Sequence, residues 1–222
     1  MHYEILVEDE SGKIALEYIV PKILGPDTSH TYRIHPYKGI GRLPRGLKNT
    51  TDPRKRILLD QLPRVLSGYG KSLQPPENYG VIVVVDSDRK DCQAFKGELL
   101  NLLDKCGPAP STLFRIAIEE MEAWLLGDRE AILSAFPTAR KHSLDGYKQD
   151  GTCGTWEVLA DAVHPGGSTA LKKLGFPHTG QAKCSWAEKI APKMDVHANL
   201  SPSFNVFVRS FEKLAASKER VR

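Results

Sequence analysis

Three acidic clusters stand where a hydrophobic run gives way to a turn or a helix. Glu8, Asp9 and Glu10 follow Ile5-Leu6-Val7. Asp86 and Asp88 follow Val81-Ile82-Val83-Val84-Val85. Glu119, Glu120 and Glu122 follow Phe114-Arg115-Ile116-Ala117-Ile118. Carboxylates gathered at strand ends suit a hard divalent cation, because Mg²⁺ takes oxygen ligands, often one or two carboxylates plus substrate phosphates. Two ionised carboxylates at close range repel, and a cation relieves that repulsion. The pattern points to metal-dependent chemistry on phosphate esters.

Each cluster also has a plainer role. Glu8 or Glu10 would favour a helix N-terminus electrostatically, and Asp88 would cap the following helix. Against this, ligands in open α/β sheets gather at the carboxyl ends of strands, which puts Glu8 and Asp86 on one rim. In the third cluster, a regular helix starting at Glu120 would turn Glu120 and Glu122 about 200° apart. One rim glutamate is therefore expected there, with Glu120 and Glu122 equally placed to supply it. Nucleophilic catalysis has little support: no G-x-S-x-G occurs, Ser87 is expected to bond to the turn backbone, and His35 reads as a core or rim residue rather than a base.

The net charge of +4 is unevenly distributed. From Arg33 to Arg56 eight Lys and Arg residues face a single acid, Asp52. Such a segment attracts a polyanion, and Lys38, Arg42, Arg45 and Lys48 are the expected nucleic-acid contacts. Its glycines match neither the P-loop nor the dinucleotide-binding pattern. Phosphate contacts carry no base information, so sequence specificity is not expected.

The elements that must position these residues can be read from the pattern. Tyr3–Val7, Thr31–Tyr37, Val81–Val85 and Thr112–Ile118 read as strands. Five β-branched residues in a row at Val81–Val85 suit a strand buried on both faces. Helices are expected from Ser11 to Leu24, from Pro53 with a stripe of Ile57, Leu58, Leu62, Val65 and Leu66, from Asp91 to Lys105, from Glu120 to Leu126 and from Asp128 to Phe136. The alternation predicts an α/β fold with a mostly parallel sheet flanked by helices over residues 1–136. Residues 137–222 read as a helical extension packed on the sheet, with helices at Thr155–Val163, Ser168–Leu174, Lys183–Lys193 and Pro202–Ala216. The hydrophobic and charged fractions, 41% and 26%, are those of a globular protein. No apolar run approaches the roughly 18 residues of a membrane span, and no signal-peptide pattern opens the chain. A cytoplasmic location without membrane contact is expected, with Cys92, Cys106, Cys153 and Cys184 as reduced thiols. Zinc at Cys153, His164, His178 and Cys184 is disfavoured by their irregular spacing.

A glutamate after the first strand and a strand ending in Asp-x-Asp, on an alternating α/β frame, resemble the Toprim domain of topoisomerases, primases and OLD-type nucleases. Glu8 resembles the Toprim glutamate, and Asp86 and Asp88 its two aspartates. The chain is more closely similar to the Toprim-like family DUF4276, in Val7-Glu8, in Asp86-Ser87-Asp88, in Glu120-Met121-Glu122-Ala123-Trp124-Leu125-Leu126-Gly127-Asp128 and in Asn199-Leu200-Ser201-Pro202-Ser203-Phe204. Asp9 departs from the glycine that often follows the Toprim glutamate, and no nucleophilic tyrosine of the topoisomerase kind is identifiable. The resemblance implies a Toprim-like fold and a Mg²⁺- or Mn²⁺-dependent nuclease. Glu8, Asp86 and Asp88 would bind metal, and Glu120 or Glu122 would assist a second ion. The implied partners are nucleic acid, DNA before RNA, and a separate ATPase serving phage defence, since this chain has no P-loop. The alternative is a non-catalytic module that binds nucleic acid or an ATPase.

Overall fold

The computed structural model describes residues 1–26, 28–44, 52–88, 90–107 and 109–219. Four parallel strands form the sheet: β1 (His2–Val7), β2 (Thr31–Pro36), β3 (Tyr79–Asp86) and β4 (Ser111–Ala117), in the order β2-β1-β3-β4. The chain steps outward from β1 to β2, then returns to the other side of β1 for β3 and β4. The switch point therefore lies between β1 and β3, the position where open α/β sheets bind ligands beyond their strand ends. The register sets Val7 beside Val84, so the residues leaving both strands emerge side by side.

Helix α1 (Glu10–Leu24) follows β1. It is capped by Asp9, whose Oδ1 accepts from the Gly12 N–H at 2.8 Å. Its Ala15, Leu16, Ile19 and Val20 pack with Ile5, Val7, Ile82 and Val84 on one face of the sheet. Helices α2 (Leu58–Ser72) and α3 (Cys92–Lys105) cover the other face, against Leu6, Val81, Val83 and Val85. The two cores take alternate residues of β3, and Val81 to Val85 are all fully buried, as a central parallel strand requires.

The helix expected from Pro53 is divided. Asp52 caps a short 3-10 turn at Pro53–Lys55, and Arg56 ends it in the left-handed region at φ 52°. The α2 helix starts afresh at Leu58. Its first free N–H groups are met by the basic segment: Leu58 donates to Gly39 O at 3.1 Å and Leu59 to Ile40 O at 2.9 Å. Proximity matters here too, since a Cβ on Gly41 (φ +71°) would come within 2.0 Å of Ile57 Cγ2. Tertiary contacts thus fix a boundary that helix propensity alone would have run through.

Beyond β4 come α4 (Glu122–Leu126), α5 (Arg129–Ala135), α6 (Lys141–Asp145), α7 (Thr155–Val163), α8 (Gly167–Leu174), α9 (Phe176–Ile190) and α10 (Pro202–Glu219). The α6 helix was not expected from the sequence. The α9 helix begins two turns earlier than the pattern suggests, because Pro177 occupies its first turn, where a missing N–H costs nothing. Residues beyond 136 share the first core: Phe204, Phe207 and Phe211 of α10 and Trp186 of α9 are buried with Tyr3, Ile5 and Val84. Trp124 stacks on Phe207 at 4.9 Å between ring centroids.

Candidate functional site

The carboxyl ends of the strands are held by a lattice of hydrogen bonds that begins in the backbone. Tyr37 N–H donates to Val7 O at 2.9 Å and Gly39 N–H to Glu8 O at 3.0 Å, so the basic segment is fastened to the exit of β1. Ser87 N–H donates to Ala117 O and Asp88 N–H to Glu119 O, each at 2.9 Å, joining the exits of β3 and β4. The Ser87 hydroxyl accepts from the Glu119 N–H at 2.7 Å, across strands rather than within its own turn. Asp88 and Glu119 both adopt positive φ, 49° and 63°, uncommon for residues other than glycine.

This framework brings the acids together. The Glu8 carboxylate accepts from the Asp86 backbone N–H at 3.3 Å. Glu8, Asp86, Asp88 and Glu120 line one cavity of about 720 Å³ with Lys38 and with Lys183 of α9. Burial pushes the Glu8 carboxyl up to about 7, and the charges of Asp88 and Asp9 add to the rise. Burial also raises Asp86 well above the usual carboxylate range, reinforced by the charges of Glu8 and Glu122. Burial beside like charges is one of the ways in which functional sites perturb their carboxyls, and structural ion-pair networks do the same. Asp88 is exposed at the rim, and the cap of α3 is Asp91 instead.

The third cluster divides its work. Glu119 is a structural clamp, its carboxylate accepting from the Gly154 and Thr155 N–H groups at the start of α7. Glu120 and Glu122 both reach Lys183, whose Nζ lies 3.3 Å from Glu120 Oε1 and 3.1 Å from Glu122 Oε2. The expected 200° divergence does not arise, because Glu120 lies in the turn before α4 and only Glu122 belongs to the helix. Glu122 is 2% exposed, and its Oε2 lacks a hydrogen bond of good geometry despite the nearby ammonium. Burial raises both carboxyls, Glu120 to about 7, while Lys183 opposes the rise. For Lys183 itself, burial favours the neutral amine, but Glu122, Glu120 and Asp86 outweigh it and hold the ammonium charged. Sequence reading missed Lys183, which lies some sixty residues from these glutamates in an unremarkable lysine-containing helix.

Among the nucleic-acid candidates, Lys38 lines the cavity. Arg42 is exposed nearby, its N–H bonded to Asp60 at 3.0 Å. Arg45 and Lys48 lie outside the described residues. His35 pairs with Glu4, lower on the sheet, and takes no part in the cavity lining.

Two sequence motifs prove to be largely scaffold. Asn199 Nδ2 donates to Trp124 O at 2.8 Å, Leu200 N–H to Gly127 O at 2.8 Å and Trp124 Nε1 to Ser203 Oγ at 3.0 Å. A Cβ on Gly127 would meet Asn199 Oδ1 at 2.0 Å. The tryptophan motif and the Asn199–Phe204 segment thus form one joint, beside which Glu120 lines the cavity and the buried Glu122 is held against Lys183. Over residues 7–212 the sequence matches the family described as a domain of unknown function, DUF4276. The chain belongs to the DUF4276 family. No curated protein and no solved structure matches it. The DUF4276 match takes in all three acidic clusters, the joint and Lys183.

Among the described residues of this DUF4276 chain, no three His, Cys, Asp or Glu side chains are grouped to hold a metal ion by themselves. The donor chemistry nonetheless fits Mg²⁺ or Mn²⁺. Glu8 and Asp86 offer oxygen ligands whose mutual repulsion a cation would relieve, and Mg²⁺ needs only one or two carboxylates when water and phosphate complete its shell. Among the described residues, no helix is long and apolar enough to cross a membrane.

Proposed function

We propose that this chain is a Toprim-like, Mg²⁺- or Mn²⁺-dependent phosphodiesterase that cleaves nucleic acid. The observation that carries this reading is the meeting of Glu8 and Asp86 at the topological switch point, with both carboxyls raised by burial and by nearby negative charge. Glu8 and Asp86 would hold the cation, with Asp88 at the exposed side. Bound there, the cation would supply Lewis-acid stabilisation of phosphate charge and lower the pKa of a bound water.

The remaining steps fall to the chain's own residues. Lys38 and the exposed arginines of the basic segment bind the phosphate backbone. Glu120, at a pKa of about 7 on the cavity wall, takes the proton of the attacking water as its oxygen bonds to phosphorus; the bond to the leaving oxygen breaks, its electron pair stays on that oxygen, and solvent water protonates it. Lys183, paired with Glu120 and Glu122 and lining the cavity, becomes available to the negative charge that develops on phosphate as Glu120 takes up its proton. A separate ATPase is the proposed partner, with phage defence as the setting.

One observation favours a second reading. Lys183 is bound by both Glu120 and Glu122, an ion-pair cluster that a non-catalytic module binding nucleic acid or an ATPase would keep as scaffold. Incubating wild type and Asp86→Ala with DNA and Mn²⁺ separates the two. The phosphodiesterase reading expects cleavage by wild type and its loss in the variant; equal cleavage by both overturns it, and nucleic-acid binding by an inert wild type favours the module.

A further inference from the structure

Phe176 is 86% exposed, the most exposed of the large hydrophobic side chains among the described residues. It stands at the first position of α9, between Gly175 (φ +87°) and Pro177. It is not a stray surface residue, because it lines the same cavity as Glu8, Asp86 and Lys38. Of the α9 residues that line the cavity, Phe176, Thr179, Gly180 and Lys183 stand three and four apart along the helix, and the lining continues to Glu188. Gly180, with nothing within 4 Å of an added Cβ, leaves open space between the ring and the ammonium.

Taken with the phosphodiesterase reading, on which it rests, this arrangement narrows the substrate. We infer that Phe176 is a stacking platform for an unpaired base, so that the site takes single-stranded nucleic acid or a frayed end. Two observations agree with that choice, together with the physics of stacking. Lys38 and the basic segment approach the cavity from β2 and supply charge for a phosphate backbone. The cavity, about 720 Å³, lies within the range of roughly 300–1,000 Å³ that accommodates a nucleotide-sized group. A face-exposed ring gains by stacking on any base, since every base has a π-face, whereas a base inside a duplex is already stacked on both sides. The ring thus sets the strandedness of the substrate without setting its sequence.

The test measures binding rather than cleavage. Wild type, Phe176→Ala and Phe176→Trp are titrated into a short fluorescein-labelled oligonucleotide, single-stranded or paired, with Ca²⁺ replacing Mg²⁺ and Mn²⁺. Phe176→Ala is expected to weaken single-strand binding about 5- to 150-fold, with Phe176→Trp retaining it and duplex binding changing less than about twofold. Thermal melting of each variant verifies that the fold is intact. Unchanged single-strand affinity in Phe176→Ala overturns the inference and leaves the ring to a protein partner. Equal losses on single strand and duplex overturn it as well. The two proposals fail separately. Stacking without any Mn²⁺-dependent cleavage contradicts the phosphodiesterase reading and keeps the platform, whereas cleavage of single strands by Phe176→Ala at the wild-type rate, with substrate well below saturation, contradicts the platform alone.

Discussion

The Asp86 backbone N–H donates to the Glu8 carboxylate at 3.3 Å. That bond ties the exits of two neighbouring parallel strands, 78 residues apart in the chain, into one acidic pair. Because burial and nearby negative charge raise both carboxyls, the pair carries a stability cost whenever it ionises.

The pH dependence follows. The Glu8 carboxyl lies at about 7 in the folded chain against an ordinary 4.5. Between these values the native state holds a proton that the unfolded chain has released, so stability falls as pH rises through that window. A cation that displaces the proton reverses the loss, and binding is tighter where the carboxyl is already ionised. Mn²⁺ should therefore raise the melting temperature more at pH 8 than at pH 6, and Glu8→Gln should remove most of that shift. A Mn²⁺ shift independent of pH and unaffected by Glu8→Gln would contradict this.

Lys183 is a structural as well as a chemical residue. Replacing it with alanine leaves Glu120 and the fully buried Glu122 without their cation. Breaking a buried pair on one side costs about 3–5 kcal/mol. Denaturant unfolding of Lys183→Ala should show a loss of that order, and adding Glu122→Leu to the same chain should recover much of it. A loss below about 0.5 kcal/mol, the scale of ordinary surface changes, would show that the pair is dispensable.

The joint between the tryptophan motif and the Asn199 segment is open to a simple test. Asn199→Ala removes the donor to the buried Trp124 carbonyl, and an unsatisfied buried polar group costs about 1–3 kcal/mol. Urea unfolding should report a loss in that range, while single-strand binding at saturating protein stays as in wild type.

How much of this was legible in the sequence depends on range. The strand at Val81–Val85 was readable because five β-branched residues in succession suit only a doubly covered strand. The nearness of Glu8 and Asp86 was readable because the alternating pattern already implied a parallel sheet, whose strand ends share an edge. The helix expected from Pro53 starts instead at Leu58, where its first N–H groups meet the carbonyls of Gly39 and Ile40, a contact that no local pattern announces. The expected divergence of Glu120 and Glu122 assumes a helix from Glu120, whereas α4 begins at Glu122. Lys183 stayed hidden because its significance comes wholly from what lies opposite it.

The basic segment offers a further check. Lys38 lines the cavity and is exposed, so Lys38→Ala should weaken binding of any oligonucleotide sequence alike and lower the magnitude of the slope of log affinity against log salt by about 0.7 to 0.9. An unchanged slope, measured by fluorescence anisotropy over a salt series, would remove Lys38 from the phosphate track.

The most direct measurement is the anomalous scattering of a crystal soaked in Mn²⁺. The account predicts a peak within coordinating distance of the Glu8 and Asp86 carboxylates, absent when Asp86→Ala is soaked in the same way. A peak elsewhere on the chain, or none at the exits of β1 and β3, would contradict it.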